Sequence, residues 1–203
     1  METLEQIKAR IEAAVTGAQV ALEGKSLVVG RQHLLDVVRF LKNDPALAMD
    51  YCANLCAVDW LPRKMKVKQG DAEVEQERPG YLEVVYDFYS MAKKHGPVQL
   101  KCRTDGREGT PELPSITPLF RGAELQEREA YDLYGIWFTG HPDLRRILMW
   151  DGFKDYPMRK DYQPPDDFEY EPTPHEDVLA KAKAHWPVAT QPAPSAGEPA
   201  KPS

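Results

Sequence analysis

The first part of the chain shows two apolar stripes of helical spacing, with a short hairpin pattern between them. Residues 3–16 carry hydrophobic side chains three and four positions apart, which predicts an amphipathic helix, and Thr3 followed by Gln6 matches a capping box. Two apolar runs within residues 19–29 are separated by Glu-Gly-Lys, a pattern typical of a β-hairpin. A second helix is predicted over residues 33–42, because Asn-Asp-Pro follows it and ends it.

The middle of the chain alternates in the manner of strands. Residues 81–90 place one set of side chains on an apolar face: Leu82, Val84, Tyr86 and Phe88. Residues 98–103 alternate in the same way and are predicted to pair with this strand across a turn at 93–97. Residues 48–60 are apolar without a clear period, so strand and helix both stay open there.

A charged stretch between these segments has an informative order. Arg63 and three lysines come before Gly70, and three glutamates follow it within residues 73–77. A hairpin turning at Gly70 would set the basic arm opposite the acidic arm, where each cross-strand pair contributes ~0.2–1 kcal/mol. A mobile, solvated loop is the alternative.

The pattern changes after Pro111. Residues 116–120 predict only a short helical turn, because the proline within them limits its length. Residues 123–134 predict a full helix that Gly135 ends as a C-cap residue. Residues 140–162 are rich in charges and aromatic side chains but have no regular period.

Together these elements predict an α+β fold: a two-layer domain with a mixed β-sheet and flanking helices, followed by an extended C-terminal segment. The predicted tail is too poor in apolar residues to fold. The predicted division is an α+β core domain at 1–110, a signature helix and interaction segment at 111–162, an acidic arm with a terminal helix at 163–186, and a disordered tail at 187–203.

Composition narrows the classes of function. The chain has 203 residues, of which 42% are hydrophobic, and its formal net charge is -6. An acidic total argues against a nucleic-acid partner, which would need a basic face. No stretch reaches the ~18–20 apolar residues that cross a bilayer, and the N-terminus lacks the features of a secretion signal. We therefore expect a cytoplasmic protein that reaches a membrane only through another subunit.

The chain has three cysteines, Cys52, Cys56 and Cys102. An odd number fits reduced thiols, and an iron–sulfur cluster normally requires four thiolates. Cys52 and Cys56 are four residues apart and would share a face on either a helix or a strand. We expect all three to be buried structural thiols.

The sequence contains no nucleotide-binding, flavin or hydrolase motif. The residue types of the segment 111–162 still allow a stand-alone hydrolase as an alternative. Its general acid and base groups would be Glu127, Glu129, Asp132 and His141. Against that interpretation, helical spacing allows Arg128 to lie between Glu124 and Asp132. Such an arrangement neutralises itself and needs no substrate.

The stretch from Glu127 to Met149 has a specific order. It opens with Glu-Arg-Glu, continues after two residues with an acid and two apolar or aromatic residues, and later contains a histidine, an arginine and an apolar run. Those positions are Glu127, Arg128, Glu129, Asp132, Leu133, Tyr134, His141, Arg145 and Ile147–Met149. This order closely resembles the signature of the thirty-kilodalton subunit family of respiratory complex I, whose bacterial members are called C-type subunits. Downstream, the sequence looks like the family's Pro-x-Arg-Lys-Asp continuation, here ending in Arg159, Lys160 and Asp161.

The resemblance implies a non-catalytic subunit in the peripheral arm of the proton-translocating NADH:quinone oxidoreductase. The assembly is expected to use FMN, iron–sulfur clusters and quinone, none of them bound by this chain. The implied main partner is the large D-type subunit, with the B-type and I-type subunits nearby, on the cytoplasmic face of the bacterial inner membrane. An equivalent subunit of a related membrane-bound hydrogenase, or of another quinone-reducing dehydrogenase, is the alternative.

Residues 140–162 are the segment predicted to lie across the large D-type subunit. Long irregular segments in compact domains are usually functional or disordered, and the aromatic and arginine residues of this one are typical of interfaces. Arg145, Arg146 and Arg159 are predicted to meet carboxylates of the partner.

Overall fold

The computed structural model describes residues 2–69 and 72–164. The predicted terminal helix of the acidic arm and the tail at 187–203 lie outside these residues. The helices and strands are, in chain order, α1 (Leu4–Ala14), β1 (Val20–Glu23), β2 (Ser26–Val29), α2 (Leu34–Asn43), β3 (Tyr51–Trp60), β4 (Arg63–Gln69), β5 (Ala72–Arg78), β6 (Tyr81–Ser90), β7 (His95–Arg103), β8 (Glu112–Pro114), α3 (Ala123–Tyr134) and β9 (Trp137–Thr139).

Five strands form a mixed sheet in the order β1-β2-β7-β6-β3. Strands β2 and β7 are parallel, whereas the other three pairs are antiparallel. The ambiguous segment at 48–60 is therefore resolved as an edge strand, β3. The predicted hairpin and the pairing of β6 with β7 are confirmed, although β7 begins at His95 and not at Val98.

One face of the sheet carries the core. All three helices bury apolar side chains in one core with the predicted apolar face of β6, and Tyr86 and Phe88 are fully buried there. The helices contribute Ile7 and Ile11 from α1, Leu34, Val37, Val38 and Leu41 from α2, and Ala123 and Ala130 from α3. The predicted two-layer α+β architecture is confirmed.

The opposite face of the sheet is held by polar contacts. Arg103 Nε donates to Glu83 Oε2 at 2.7 Å, and Gln99 Nε2 donates to Asp87 Oδ1 at 2.9 Å. Both are cross-strand pairs between β6 and β7. This face thus uses the second half of the alternation, whose side chains recur every second position along each strand.

Two predicted helix boundaries have a chemical signal in the sequence, the start of α1 and the end of α3, and both are confirmed. Thr3 Oγ1 accepts the N–H of Gln6 at 3.3 Å while Gln6 Oε1 accepts the N–H of Thr3 at 2.9 Å, which completes the capping box. Gly135 ends α3 with φ of 78°, a left-handed conformation that favours glycine.

The expectation for the cysteines is only partly right. Cys52 and Cys102 are buried, and burial raises the pKa of each thiol to about 12. Cys56 is exposed, because a β-bulge between Cys52 and Asn54 shifts the register of β3 by one residue. Since side chains alternate along a strand, that single extra residue moves Cys56 to the face opposite Cys52.

Strands β4 and β5 form a separate two-stranded sheet. Their register sets Lys64, Lys66 and Lys68 opposite Glu77, Glu75 and Glu73. The hairpin alternative is therefore the one the structure supports. The turn itself, at residues 70 and 71, lies outside the described residues.

The core continues past the predicted division at residue 110. Strands β8 and β9 pair in parallel, and Leu113, Ile116 and Phe138 join the same core as the sheet. The division into 1–110 and 111–162 stays a prediction about roles, since residues up to Gln163 form one unit. Within the described part of the chain, no helix has the length and apolar character to span a membrane.

Candidate functional site

The signature residues on α3 point in different directions. Glu127, Arg128 and Asp132 are buried against the segments that precede and follow the helix, whereas Glu129 is exposed. Leu133 and Tyr134 are half-buried at the end of the helix. Burying three charged side chains on one helix is costly unless each has partners, so their contacts define the site.

Asp132 holds the loop after β9. Its Oδ2 accepts the backbone N–H groups of three successive residues, Ile147, Leu148 and Met149, at 3.0, 2.7 and 2.9 Å. Its Oδ1 accepts from Arg146 Nη1 at 2.7 Å. Burial alone would raise the pKa of Asp132, but these N–H groups and the guanidinium lower it below its usual value. The side chain is thus a buried anion with four donors.

The same segment caps the C-terminal end of α3. The last four carbonyl groups of a helix have no partner within it, and here each accepts a hydrogen bond from Gly135 or from residues 146–159. The four contacts run from Gly135 N to Tyr131 O at 2.9 Å, from Arg146 Nη1 to Asp132 O at 3.0 Å, from Met158 N to Leu133 O at 3.1 Å and from Arg159 Nε to Tyr134 O at 2.7 Å.

The guanidinium of Arg128 also binds backbone groups of the loop. Its Nε donates to the carbonyl of Arg145 at 3.2 Å, and its Nη2 donates to the carbonyl of Arg146 at 3.3 Å. The predicted arrangement, in which Arg128 lies between Glu124 and Asp132, is wrong, because the loop and not the helix supplies the partners. Asp132 pairs with Arg146, and Arg128 lies 3.8 Å from the carboxylate of Asp143.

Tyr156 packs into the gap left by Gly135. A Cβ at position 135 would lie 2.5 Å from the Tyr156 ring, so glycine is required there for space as well as for its φ. The guanidinium groups of Arg146 and Arg159 lie 5.4 and 4.7 Å from the centre of that ring. These cation–π contacts fix the ring against the end of α3.

Glu127 and His141 meet in a fully buried pocket beside Ser115. Glu127 accepts from Ser115 Oγ at 2.6 Å and from the N–H of Ile116 at 2.7 Å, and burial raises its pKa to about 7. His141 Nε2 lies 4.0 Å from Glu127 Oε2. Nδ1 of His141 accepts the N–H of Asp143 at 3.0 Å, so Nε2 carries the proton and donates to a backbone carbonyl.

A second set of charges holds the Arg-Lys-Asp sequence. Arg107 donates to Asp59 at 2.6 and 2.9 Å and to Asp161 at 2.6 and 3.0 Å. Asp59 also accepts the backbone N–H of Lys160 at 2.8 Å. Hydrogen bonds from Arg107 lower the pKa of Asp161. Residues 159–161 are thereby tied to the end of the sheet, where Asp59 lies near the end of β3.

Sequence reasoning missed Arg107 and Asp59, and it did not foresee the contact between Arg146 and Asp132. Arg107 lies in a turn with two glycines, whose spacing matches no phosphate-binding loop and gives no other local signal. Its partners lie 48 and 54 residues away along the chain, and no local spacing could reveal them.

The structure places the remaining predicted residues on the surface. Arg145 has 69% of its side chain exposed and contacts Asp143 at 2.9 Å, and Ile147 is 39% exposed. Arg146 and Arg159 have partners within the chain, Asp132 and the carbonyl of Tyr134, and their contact with carboxylates of another subunit stays a prediction. Arg145 is the member of the predicted trio whose guanidinium faces solvent.

The residues named for a hydrolase are not gathered into an accessible site. Glu127 and His141 are together but fully buried, Asp132 is saturated by four donors, and Glu129 faces solvent. Over residues 2–69 and 72–164, no three His, Cys, Asp or Glu side chains come together as metal ligands. The geometry defines a different class of site, one in which motif charges fix a surface segment on a helix.

One family model covers most of the chain. A model of the family described as respiratory-chain NADH dehydrogenase, 30 Kd subunit, matches residues 27–168. The chain belongs to this family of complex I subunits.

Individual relatives are similar over most of this chain. The second C-type subunit of NADH-quinone oxidoreductase from Rhizobium meliloti is 40% identical over 137 residues, which cover 68% of this chain and 65% of that protein. The C-type subunit of a Roseiflexus species is 37% identical over 158 residues, covering 78% of this chain and 80% of that protein. This chain therefore spans less than two thirds of the Rhizobium relative.

One solved structure shares the fold. A chain from the membrane-bound sulfane sulfur reductase, an archaeal respiratory membrane complex, aligns with a TM-score of 0.55 and 18% identity, covering 98% of this chain and 100% of that one.

Proposed function

We propose that this chain is a structural, non-catalytic subunit of the proton-translocating NADH:quinone oxidoreductase. In this role it binds no redox group. The FMN, iron–sulfur clusters and quinone belong to other subunits, and this chain supports the quinone-reducing module by packing against the large D-type subunit, near the B-type and I-type subunits. It lies peripherally, on the cytoplasmic face of the bacterial inner membrane.

The observation that carries the proposal is the use of the signature charges. Asp132, Arg128 and Arg159 each hold backbone groups of residues 145–159 or of the end of α3. A charged group that is bonded to the backbone of its own chain is poorly placed to transfer protons or bind substrate. Such charges instead give an irregular surface segment one fixed conformation, which favours a role in assembly.

The relatives support the assembly in which this role is set. Proteins that are 37–40% identical are named as C-type subunits of NADH-quinone oxidoreductase. The equivalent subunit of a related hydrogenase has no observation in its favour, because the likeness to the sulfane sulfur reductase chain concerns the fold alone.

The test is gentle solubilisation of membranes that contain a tagged copy of the full chain, followed by pull-down. We expect the large D-type subunit and the B-type and I-type subunits to be recovered together with NADH:quinone oxidoreductase activity. Recovery of hydrogenase subunits, or of the chain alone from the cytosol with a bound metal or its own turnover, would contradict the proposal.

Arg145 offers a sharper test of the partner contact. Because 69% of its side chain is exposed, replacing it with Glu leaves the fold intact, and we expect a lower yield of assembled complex through repulsion of partner carboxylates. Lys25→Glu, which changes an exposed cation in the turn between β1 and β2, is the matched control outside this segment. Equal incorporation of Arg145→Glu and the unmodified chain would count against a contact at this position.

A further inference from the structure

The loop after β9 displays two large apolar side chains next to each other. Ile147 is 39% exposed and Leu148 is 62% exposed. We call these two residues the knuckle. Leu125 on α3 is 57% exposed and lies one helical turn before Arg128, which contacts the carbonyl groups of the two residues preceding the knuckle. Exposed apolar side chains that group together are typical of interaction sites on proteins.

The knuckle is held in one conformation by the buried carboxylate beneath it. Asp132 Oδ2 accepts the N–H groups of both knuckle residues and of Met149. Since the backbone is already fixed, binding through these side chains loses little conformational entropy. If nothing specified the position of this loop, three of its backbone N–H groups would not converge on one buried anion.

The charges around the knuckle indicate what kind of surface it meets. Arg145 stands next to it with 69% of its side chain exposed, paired with Asp143, which is 48% exposed. Exposed ion pairs of this kind contribute little, so the guanidinium can exchange Asp143 for a carboxylate on a partner.

The net charge of the surrounding loop favours a protein over a lipid surface. Residues 143–155 contain three acids and three bases and are neutral as a whole. Anionic membranes attract clusters of basic residues, and this loop has no such excess. A protein cleft that is apolar at its centre and acidic at its rim fits both the knuckle and Arg145.

We propose that the knuckle, Ile147 and Leu148 held outward by Asp132, inserts into an apolar cleft of a partner subunit whose rim carries a carboxylate for Arg145. The inference rests on the proposed function, in which that partner is the large subunit of the complex. It makes Leu148 the main anchor, because it is the more exposed of the two.

The experiment replaces Leu148 with Asp in the tagged full chain, in cells that lack their own copy of this subunit. A carboxylate cannot enter an apolar cleft without losing its hydration, so we expect about a tenfold or greater fall in the amount of chain that copurifies with the complex. Leu148→Met should retain incorporation. Met91→Asp is the matched control, since Met91 is 63% exposed in the turn between β6 and β7.

Four outcomes would overturn the inference. The first is full incorporation of the Leu148→Asp chain. The second is a loss of incorporation for Met91→Asp as large as the loss for Leu148→Asp. A fall in Tm of the purified Leu148→Asp chain would mean that Leu148 packs against its own chain. Binding of the purified chain to phosphatidylglycerol vesicles that Leu148→Asp abolishes would assign the knuckle to lipid. If the unmodified chain itself fails to incorporate, the proposed function fails and not merely the knuckle.

Discussion

The sheet with its first two helices and the region around α3 bury their side chains by different means. In the first region, regular apolar stripes such as Leu82 and Val84 on β6 share one core with Ile7 and Ile11 on α1. In the second, charged side chains such as Asp132 are buried in order to bind the backbone of residues that form no helix or strand.

The difference shows what each kind of burial can specify. Apolar packing is non-directional and fixes whole helices and strands through their period. A buried charge is directional and fixes individual backbone groups, since it is costly wherever its donors are missing. The irregular segment 140–162 requires the second kind, because it has no ladder of its own to satisfy its backbone.

The comparison is tested most strongly by Asp132→Ala. Removing this carboxylate leaves Arg146 and three backbone N–H groups without their acceptor, so we expect the free energy of unfolding to fall by about 3–5 kcal/mol. That loss would match or exceed the ~2–5 kcal/mol expected for a core Leu82→Ala. Urea denaturation followed by circular dichroism measures both. A change below that of the exposed control Asp151→Ala would remove the argument that charges organise this region.

Glu127 should make stability depend on pH. Its pKa is raised to about 7 in the folded chain by burial, above an ordinary value near 4.5. The folded state therefore binds the proton more tightly, so the stability contributed by the protonated form is present below pH 4.5 and is lost as pH rises through 7. The expected loss is about 3 kcal/mol.

Glu127→Gln provides the comparison, because the amide oxygen still accepts from the N–H of Ile116, the amide NH2 group can donate to Ser115 Oγ, and the side chain cannot ionise. The measurement is the difference in unfolding free energy between the two chains at pH 4.5 and pH 8. A constant difference across this range would show that Glu127 titrates normally.

Gly135→Ala tests the junction between α3 and Tyr156. Both the left-handed φ of 78° and the Cβ contact at 2.5 Å oppose the substitution, and we expect a loss of about 2 kcal/mol in unfolding free energy. In a Tyr156→Ala background the steric part disappears, and the cost should fall to about 1 kcal/mol. Equal costs in the two backgrounds would show that the ring does not occupy this position.

The smallest effect is expected for Glu129→Gln. Glu129 belongs to the same motif as Glu127 but faces solvent, so the free energy of unfolding should change by no more than about 0.5 kcal/mol. Thermal unfolding of both variants under one condition measures the contrast. A loss comparable to that of Asp132→Ala would mean that exposure does not separate the roles within this motif.

Elements with local signals could be predicted from the sequence. Thr3 with Gln6, Gly135 and the alternation in residues 81–90 each depend on neighbours within a few positions, and each is found where expected. The failure at Cys56 has a local cause that leaves no mark in the pattern, since a bulge at residue 53 inverts every later face of the strand.

The contacts of the site could be predicted only in part. The motif identified the important charges on α3, but not whether their partners lay on the helix, in the loop or in another subunit. Arg128 and Arg146 have acceptors 14 to 18 residues away, and Arg107 is separated from Asp59 by 48. Contacts at such separations depend on the fold itself.

The parallel pairing of β2 with β7 has a consequence for synthesis on the ribosome. Val28 lies opposite Lys101, so the first hairpin cannot join the sheet until more than seventy further residues have emerged. A nascent chain ending before β7 lacks the strand that lies between β2 and β6. During that interval the apolar faces of α1, α2 and β6 cannot pack together on one complete sheet. Shielding by a chaperone would therefore be most effective at this stage of synthesis.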